Sequence, residues 1–123
     1  MEENSYKGAT GLRRVWRATG YSLDGLAVAY RGEAAFRQLV WLAAVLIPVA
    51  LALPLDRVSR ALLIGSVMLS LIIELLNSAI EAAIDRISLE RHPLSKASKD
   101  MGSAAQLISL AMIAVIWSLV LLG

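Results

Sequence analysis

Four polar side chains lie at helical spacing inside an apolar stretch of the sequence, "SLIIELLNSAIEAAID", residues 70–85. Glu74, Asn77, Glu81 and Asp85 follow one another at intervals that place them within an arc of about 100° on an α-helix. Carboxylates one and two turns apart can ligate a hard cation such as Mg²⁺, and a carboxylate left free can accept a proton. The stretch therefore predicts a metal site or a proton-accepting site on one face of a helix.

A purely structural explanation of the same residues stays open. Asn77 and the neighbouring serines could bond across a helix interface, and the acids could pair with Arg86 or Lys99. An ionised carboxylate facing lipid costs at least about 2.5 kcal/mol, so the acids must face protein or water. We expect the structural role for Asp85, at the water boundary, and a chemical role for Glu74, which lies about three turns deeper.

The composition indicates which elements must position these residues. The chain has 123 residues, of which 58% are hydrophobic, and it has no Lys, Arg, Asp or Glu within residues 38–55, 61–73 or 101–123. Each gap holds most of a bilayer-spanning helix, which needs about 20 mostly apolar residues. The sequence therefore predicts an all-α integral membrane protein with three transmembrane helices.

The region before the first gap has a different pattern. Apolar and cationic residues recur at helical spacing, and six of the seven aromatic residues lie within the first 41 residues. This is typical of a helix on the membrane surface, which we expect Gly20 and Gly25 to break into two pieces. The predicted single domain comprises a tail and surface helix (residues 1–38) and spans at residues 39–53, 60–87 and 101–122.

The positive charges predict how the chain crosses the membrane. The segment up to Arg37 has six Lys and Arg residues, residues 85–100 have four, and residues 54–60 have two. Positive charge marks the cytoplasmic side, so we expect a cytoplasmic N-terminus and a C-terminus on the outer side. Since these charges flank the spans, anionic lipid headgroups explain them better than nucleic acid does.

Two further stretches could complete a site. Lys96, Lys99 and Asp100 lie at the predicted start of the third helix, where cations and helical N–H groups suit a phosphate group. Ordinary positive flanking of a span is the alternative explanation. Glu33 lies between Arg31 and Arg37, where it is either a second metal ligand or a paired surface acid.

Other residues of these stretches receive structural interpretations. We expect Gly102, Ser103, Ala104 and Ala105 to serve close helix packing, because small residues let helix backbones approach each other. We expect His92, which precedes Pro93, to be a loop residue.

Three stretches, "GYSLDGLAVAYRGEAAFRQ", "ELLNSAIEAAIDR" and "KDMGSAA", resemble in this order the bacterial integral-membrane diacylglycerol kinases. The resemblance covers roughly residues 13–117. It implies a homotrimer in the bacterial inner membrane, with active sites shared between subunits. It also implies phosphoryl transfer from MgATP to the primary hydroxyl of diacylglycerol, giving phosphatidic acid at the cytoplasmic face.

The resemblance also implies roles for individual residues. Glu74 matches the general base, Asn77 helps to order the site, and Glu33 and Glu81 match the Mg²⁺ ligands. The implied ATP contacts are Arg14, Tyr21, Glu33, Glu81, Glu90, Arg91, His92, Lys99 and Asp100. The implied lipid contacts are Arg14, Ala18, Thr19, Gly20, Tyr21, Ser22, Leu23, Ala27, Val28, Ala29, Tyr30, Ala35, Phe36, Arg37, Gln38, Leu39, Arg60, Glu74, Ser103 and Trp117.

Some positions depart from the family pattern, and other functions stay open. Leu39 replaces a Glu, Leu23 replaces a common Trp and Thr19 replaces a common Ala, which affects the expected acyl-chain preference and local packing. Related small kinases phosphorylate undecaprenol. A proton- or ion-conducting protein is the alternative outside enzymes, and the phosphate-binding character of Lys99 and Asp100 argues against it.

Overall fold

The computed structural model describes residues 10–123, which form four α-helices and no β-strand. They are α1 (Gly11–Gly32), α2 (Ala34–Ala52), α3 (Arg57–Ile87) and α4 (Pro93–Leu122). By length and composition, α2, α3 and α4 can each cross a membrane. The expected all-α fold with three spans and an N-terminal amphipathic helix is confirmed, although residues 1–9 of the predicted tail lie outside the described part of the chain.

The N-terminal helix α1 is continuous, so the expected break at Gly20 and Gly25 is wrong. A glycine in a helix costs only about 1 kcal/mol relative to alanine. Two such costs do not interrupt a hydrogen-bond ladder of 22 residues. The large apolar side chains of α1, including Leu12 and Trp16, are exposed, which fits a helix lying on a membrane surface.

A single residue, Glu33, joins α1 to α2 in an extended conformation. The guanidinium of Arg37 reaches back and donates hydrogen bonds to the carbonyls of Tyr30 (2.8 Å) and Arg31 (3.0 Å). Helix α2 begins at Ala34, ahead of the predicted span, which starts at Leu39. The bonds from Arg37 satisfy carbonyls that the end of α1 leaves free. Pro48 lies inside α2 without ending it.

Helix α3 is the central element and packs against both α2 and α4. The carboxylate of Asp56 caps its N-terminus by accepting a hydrogen bond from the Ser59 N–H at 3.2 Å. This bond holds the pKa of Asp56 below its usual range, so its stabilising effect is present near neutral pH and is lost as the pH falls through the lowered pKa. The buried face of α3 contains Leu63, Ser66, Val67, Ser70 and Glu74.

The last helix, α4, begins at Pro93, ahead of the predicted span at residues 101–122. The Nδ1 atom of His92 accepts a hydrogen bond from the Leu94 N–H at 3.1 Å, and Pro93 occupies the first turn, where its missing N–H is harmless. The expected loop residue His92 is thus the helix cap. Because the helix starts early, Lys99 and Asp100 lie on its second turn, about 10 Å beyond its first residue.

Candidate functional site

Glu74 lies in a buried polar cluster at the interface of α3 and α4. Its side chain is only 7% exposed. The Nε2 atom of Gln106, on α4, donates hydrogen bonds to Glu74 Oε1 at 3.0 Å and to the Ser70 carbonyl at 3.1 Å. The Ser109 hydroxyl donates in turn to Gln106 Oε1. A carboxylate deep in a span is therefore held by a neutral donor rather than by a cation.

Gln106 and Ser109 were missed by the sequence analysis. Both are buried, and their spacing of one helical turn places them on the same face of α4 as Gly102. The sequence feature that could have identified Gln106 is its position within residues 101–123, which contain no charged residue. A polar amide in such a span needs a hydrogen-bonding partner.

The other polar residues on this face of α3, from Asn77 to Asp85, become more exposed toward one end of the bundle. Asn77 and Glu81 are partly exposed and joined by a hydrogen bond from Asn77 Nδ2 to Glu81 Oε1 at 3.1 Å, whereas Asp85 is exposed. This gradient is the one expected from the sequence. Asn77 also packs directly on Gly102, where an added Cβ would overlap Asn77 Oδ1 and lie 3.1 Å from its Cγ. The expected packing role is confirmed for Gly102, whereas Ser103, Ala104 and Ala105 are exposed in the single chain.

At the exposed end, α3, the following loop and α4 enclose a pocket of about 620 Å³. Its lining includes the segment Glu90–His92, Asp85, Lys99 and Asp100. Lys99 Nζ lies 2.8 Å from Asp85 Oδ1, which confirms the structural pairing expected for Asp85. Asp100 is paired with Lys96 at 2.6 Å. The structure thus brings five of the predicted ATP contacts into one cavity with both charge signs.

A second pocket, of about 560 Å³, is almost wholly apolar and lies between α1, α2 and α3. Three predicted lipid contacts, Ala27, Tyr30 and Phe36, line it together with Leu71 and other apolar residues of α3. We call it the apolar groove. Another of its lining residues, Leu75, directly follows Glu74 in the sequence, whereas the Glu74 side chain is directed toward Gln106 on α4.

The remaining predicted contacts lie outside these two pockets. Leu39 is 9% exposed and belongs to the core between the helices. The guanidinium of Arg60 donates to the carbonyls of Ala50 and Leu53 at the end of α2, about 21 Å from Glu74 along α3. Trp117 donates to Ser66 in the same half of the bundle. The others lining neither pocket are Arg14, Ala18, Thr19, Gly20, Tyr21, Ser22, Leu23, Val28, Ala29, Ala35, Arg37, Gln38 and Ser103.

The proposed metal ligands form only a partial site within one chain. Glu81 is oriented by Asn77, and Glu33 lies at the joint of α1 and α2, where Arg37 bonds carbonyls instead of pairing with it. Among residues 10–123, no three acidic or histidine side chains cluster as a metal site would. Mg²⁺ commonly binds one or two carboxylates plus substrate phosphates, so two separate glutamates fit a metal that arrives with a nucleotide.

The three apolar helices, the buried acid, the apolar groove and the polar pocket at one end define a membrane protein suited to act on lipids. A sequence model of the family described as prokaryotic diacylglycerol kinase matches residues 20–121. This match covers most of the chain, and the chain belongs to that family.

Named relatives match over nearly their whole length. The diacylglycerol kinase of Pseudomonas aeruginosa is 62% identical over 123 residues, covering 100% of both chains. That of Escherichia coli K12 is 48% identical over 112 residues, covering 91% of this chain and 92% of the relative. That of Helicobacter pylori J99 is 48% identical over 114 residues, covering 93% and 89%. The protein is therefore an enzyme of the diacylglycerol kinase family.

Proposed function

We propose that this protein transfers the γ-phosphoryl group of ATP to the primary hydroxyl of diacylglycerol, producing phosphatidic acid and ADP at the cytoplasmic face of the bacterial inner membrane. The observation that carries the proposal is the 62% identity to a named diacylglycerol kinase over the whole of both chains. The same family membership favours an enzyme over the proton- or ion-conducting alternative.

The apolar groove supports a lipid acceptor. Its lining by Leu26, Phe36, Val40 and Leu71 suits acyl chains. In the proposed reaction Glu74 takes the hydroxyl proton, the lipid oxygen forms a bond to the γ-phosphorus, and the bond between that phosphorus and the leaving ADP oxygen breaks. A positioned carboxylate base of this kind contributes typically 10²–10⁴-fold.

The pocket at the exposed end supports a nucleotide donor. The Lys99 ammonium suits phosphate oxygens, and its bond to Asp85 sets its position before ATP binds. Phosphoryl transfer depends mainly on placement and charge neutralisation. Glu33 and Glu81 would hold Mg²⁺, which neutralises phosphate charge when bound. Asn77 would then act by orienting Glu81.

A homotrimer with shared sites is part of the proposal. In the apolar window of α4 only 6% of residues are buried within the chain, so most of this helix remains free to contact lipid or other copies. Glu33 and Glu81 belong to no acidic cluster within the described residues of one chain. A neighbouring copy that brings its Glu33 to Glu81 would complete the pair.

Purified protein in mixed micelles with labelled ATP and Mg²⁺ tests the proposal. Diacylglycerol and undecaprenol are offered in turn, and the labelled lipid is identified after extraction. We expect labelled phosphatidic acid. Transfer to undecaprenol alone would identify an undecaprenol kinase, and transfer to neither lipid would contradict a lipid kinase function.

A further inference from the structure

The amide of Gln106 is fully engaged in a fixed orientation beside Glu74. Its Nε2 group has two N–H bonds, one directed to Glu74 Oε1 and one to the Ser70 carbonyl. The Ser109 hydroxyl lies within hydrogen-bonding distance of Gln106 Oε1 and of the Gln106 backbone carbonyl. Because the Ser70 carbonyl and an ionised carboxylate can only accept, these two partners require the NH₂ end of the amide to face Glu74.

The contact leaves one carboxylate oxygen of Glu74 available. Gln106 engages Oε1, and Oε2 has no hydrogen-bonding partner within residues 10–123. In this part of the chain, the only fully buried side-chain polar atom without a partner is Asn77 Oδ1. Oε2 is therefore not fully buried, and it is the carboxylate oxygen that Gln106 leaves without a hydrogen bond.

We propose that Gln106 is a positioning residue for the phosphoryl transfer: it fixes Glu74 through Oε1, so that Oε2 meets the lipid hydroxyl. This inference rests on the proposed function of Glu74 as the base. A glutamate side chain has three rotatable bonds, and in the absence of a partner its carboxylate samples several orientations. Misplacement of a reacting group by about 1 Å can cost about 100-fold in rate. Ser109 contributes by holding the amide.

The test is a set of steady-state measurements on the full-length protein in mixed micelles. Gln106→Leu removes both donors and replaces the amide with an apolar side chain of similar size. We expect kcat to fall on the order of 10- to 100-fold, while KM for ATP and for diacylglycerol stays within about twofold, because the lost interaction acts on the reacting group rather than on binding. Ser109→Ala should give a smaller fall in kcat.

A double-mutant cycle separates positioning from general loss of structure. If Gln106 acts through Glu74, its substitution has no further effect on the residual turnover of Glu74→Gln. Equal losses in both backgrounds would overturn the inference. Leu63→Ala is the control: Leu63 is fully buried on the same face of α3, about 16 Å from Glu74. It should lower the unfolding temperature and leave kcat per folded protein unchanged.

The outcomes remain distinct from a failure of the proposed function. If the wild-type protein phosphorylates no lipid, the proposed function is wrong. If the wild type is active and Gln106→Leu retains its kcat, only the role of Gln106 is wrong. Should Gln106→Leu fail to fold, Gln106→Met, which is unbranched and also lacks donors, decides by the same criteria.

Discussion

The two ends of the polar face that runs from Glu74 to Asp85 on α3 hold their acidic residues in opposite ways. At the inner end, Glu74 is 7% exposed and is held by the neutral amide of Gln106. At the outer end, Asp85 is exposed and is paired with the cation Lys99 at 2.8 Å. The two acids lie about three turns apart on one face of one helix. Both carry a carboxylate, and what separates them is their surroundings.

This difference separates a chemical role from a structural one. A carboxylate paired with a lysine has its charge already balanced, and it orients the lysine. A buried carboxylate without a cation is costly in a membrane, and such an arrangement persists where function requires it. In the proposed function Glu74 is the group that takes the hydroxyl proton, whereas Asp85 pairs with Lys99 at the pocket.

Shortening the side chain of Glu74 should lower kcat strongly. Glu74→Asp retains the carboxylate but withdraws it by one methylene, so it loses reach toward both Gln106 and the lipid hydroxyl. We expect kcat to fall by about 100-fold with an unchanged KM for ATP, measured with labelled ATP in mixed micelles. Activity close to that of the wild type would show that the placement of this carboxylate is not critical.

A matched pair of glycine substitutions probes the middle of the interface. Gly102→Ala places a methyl group against the Asn77 amide, whereas nothing lies within 4 Å of the corresponding position at Gly65. Gly102→Ala should displace Asn77 and free Glu81, which lowers kcat by roughly tenfold. Gly65→Ala should keep activity and stabilise α3 by up to about 1 kcal/mol. Equal activities of the two variants would contradict the close packing on Asn77.

Removing the proposed metal ligands should change the metal dependence more than the maximal rate. Glu81→Gln and Glu33→Gln each delete one anionic ligand, so we expect the Mg²⁺ concentration for half-maximal activity to rise by roughly an order of magnitude. Titration of Mg²⁺ at fixed ATP measures it. If the Mg²⁺ dependence of both variants matches the wild type, these residues do not hold the metal.

The smallest effect on activity is expected for Asp85, at the exposed end of the polar face. Asp85→Asn breaks the exposed pair with Lys99, and such pairs contribute little to stability. The freed lysine loses its orientation but no longer competes with an acid for the phosphates, and these effects oppose each other. We expect KM for ATP to change by a few-fold at most and kcat to stay the same. If turnover instead dropped as far as in Glu74→Asp, Asp85 would take part in the chemistry.

The spans and the polar face that carries Glu74 and Asp85 could be predicted from the sequence. The three charge-free gaps predicted the spans, and the periodicity from Glu74 to Asp85 predicted both the polar face and its increasing exposure. The packing of Gly102 was also predicted, because small residues in spans have few other roles.

The remaining features depend on contacts that the sequence does not specify. The bond between Gln106 and Glu74 joins residues 32 positions apart, and only the relative rotation of α3 and α4 determines it. The continuity of α1 through Gly20 and Gly25 reflects the length of its hydrogen-bond ladder. The early start of α4 depends on a cap by His92, a residue that is not a common helix cap.

The most direct test of the central claim is to measure ATP binding and phosphatidic acid formation together in Glu74→Gln. This substitution keeps the shape of the side chain and removes its ability to accept a proton as a carboxylate. We predict ATP binding equal to that of the wild type and turnover reduced by about 10²–10⁴-fold. Full turnover in this variant would contradict Glu74 as the base and remove the distinction in role between Glu74 and Asp85.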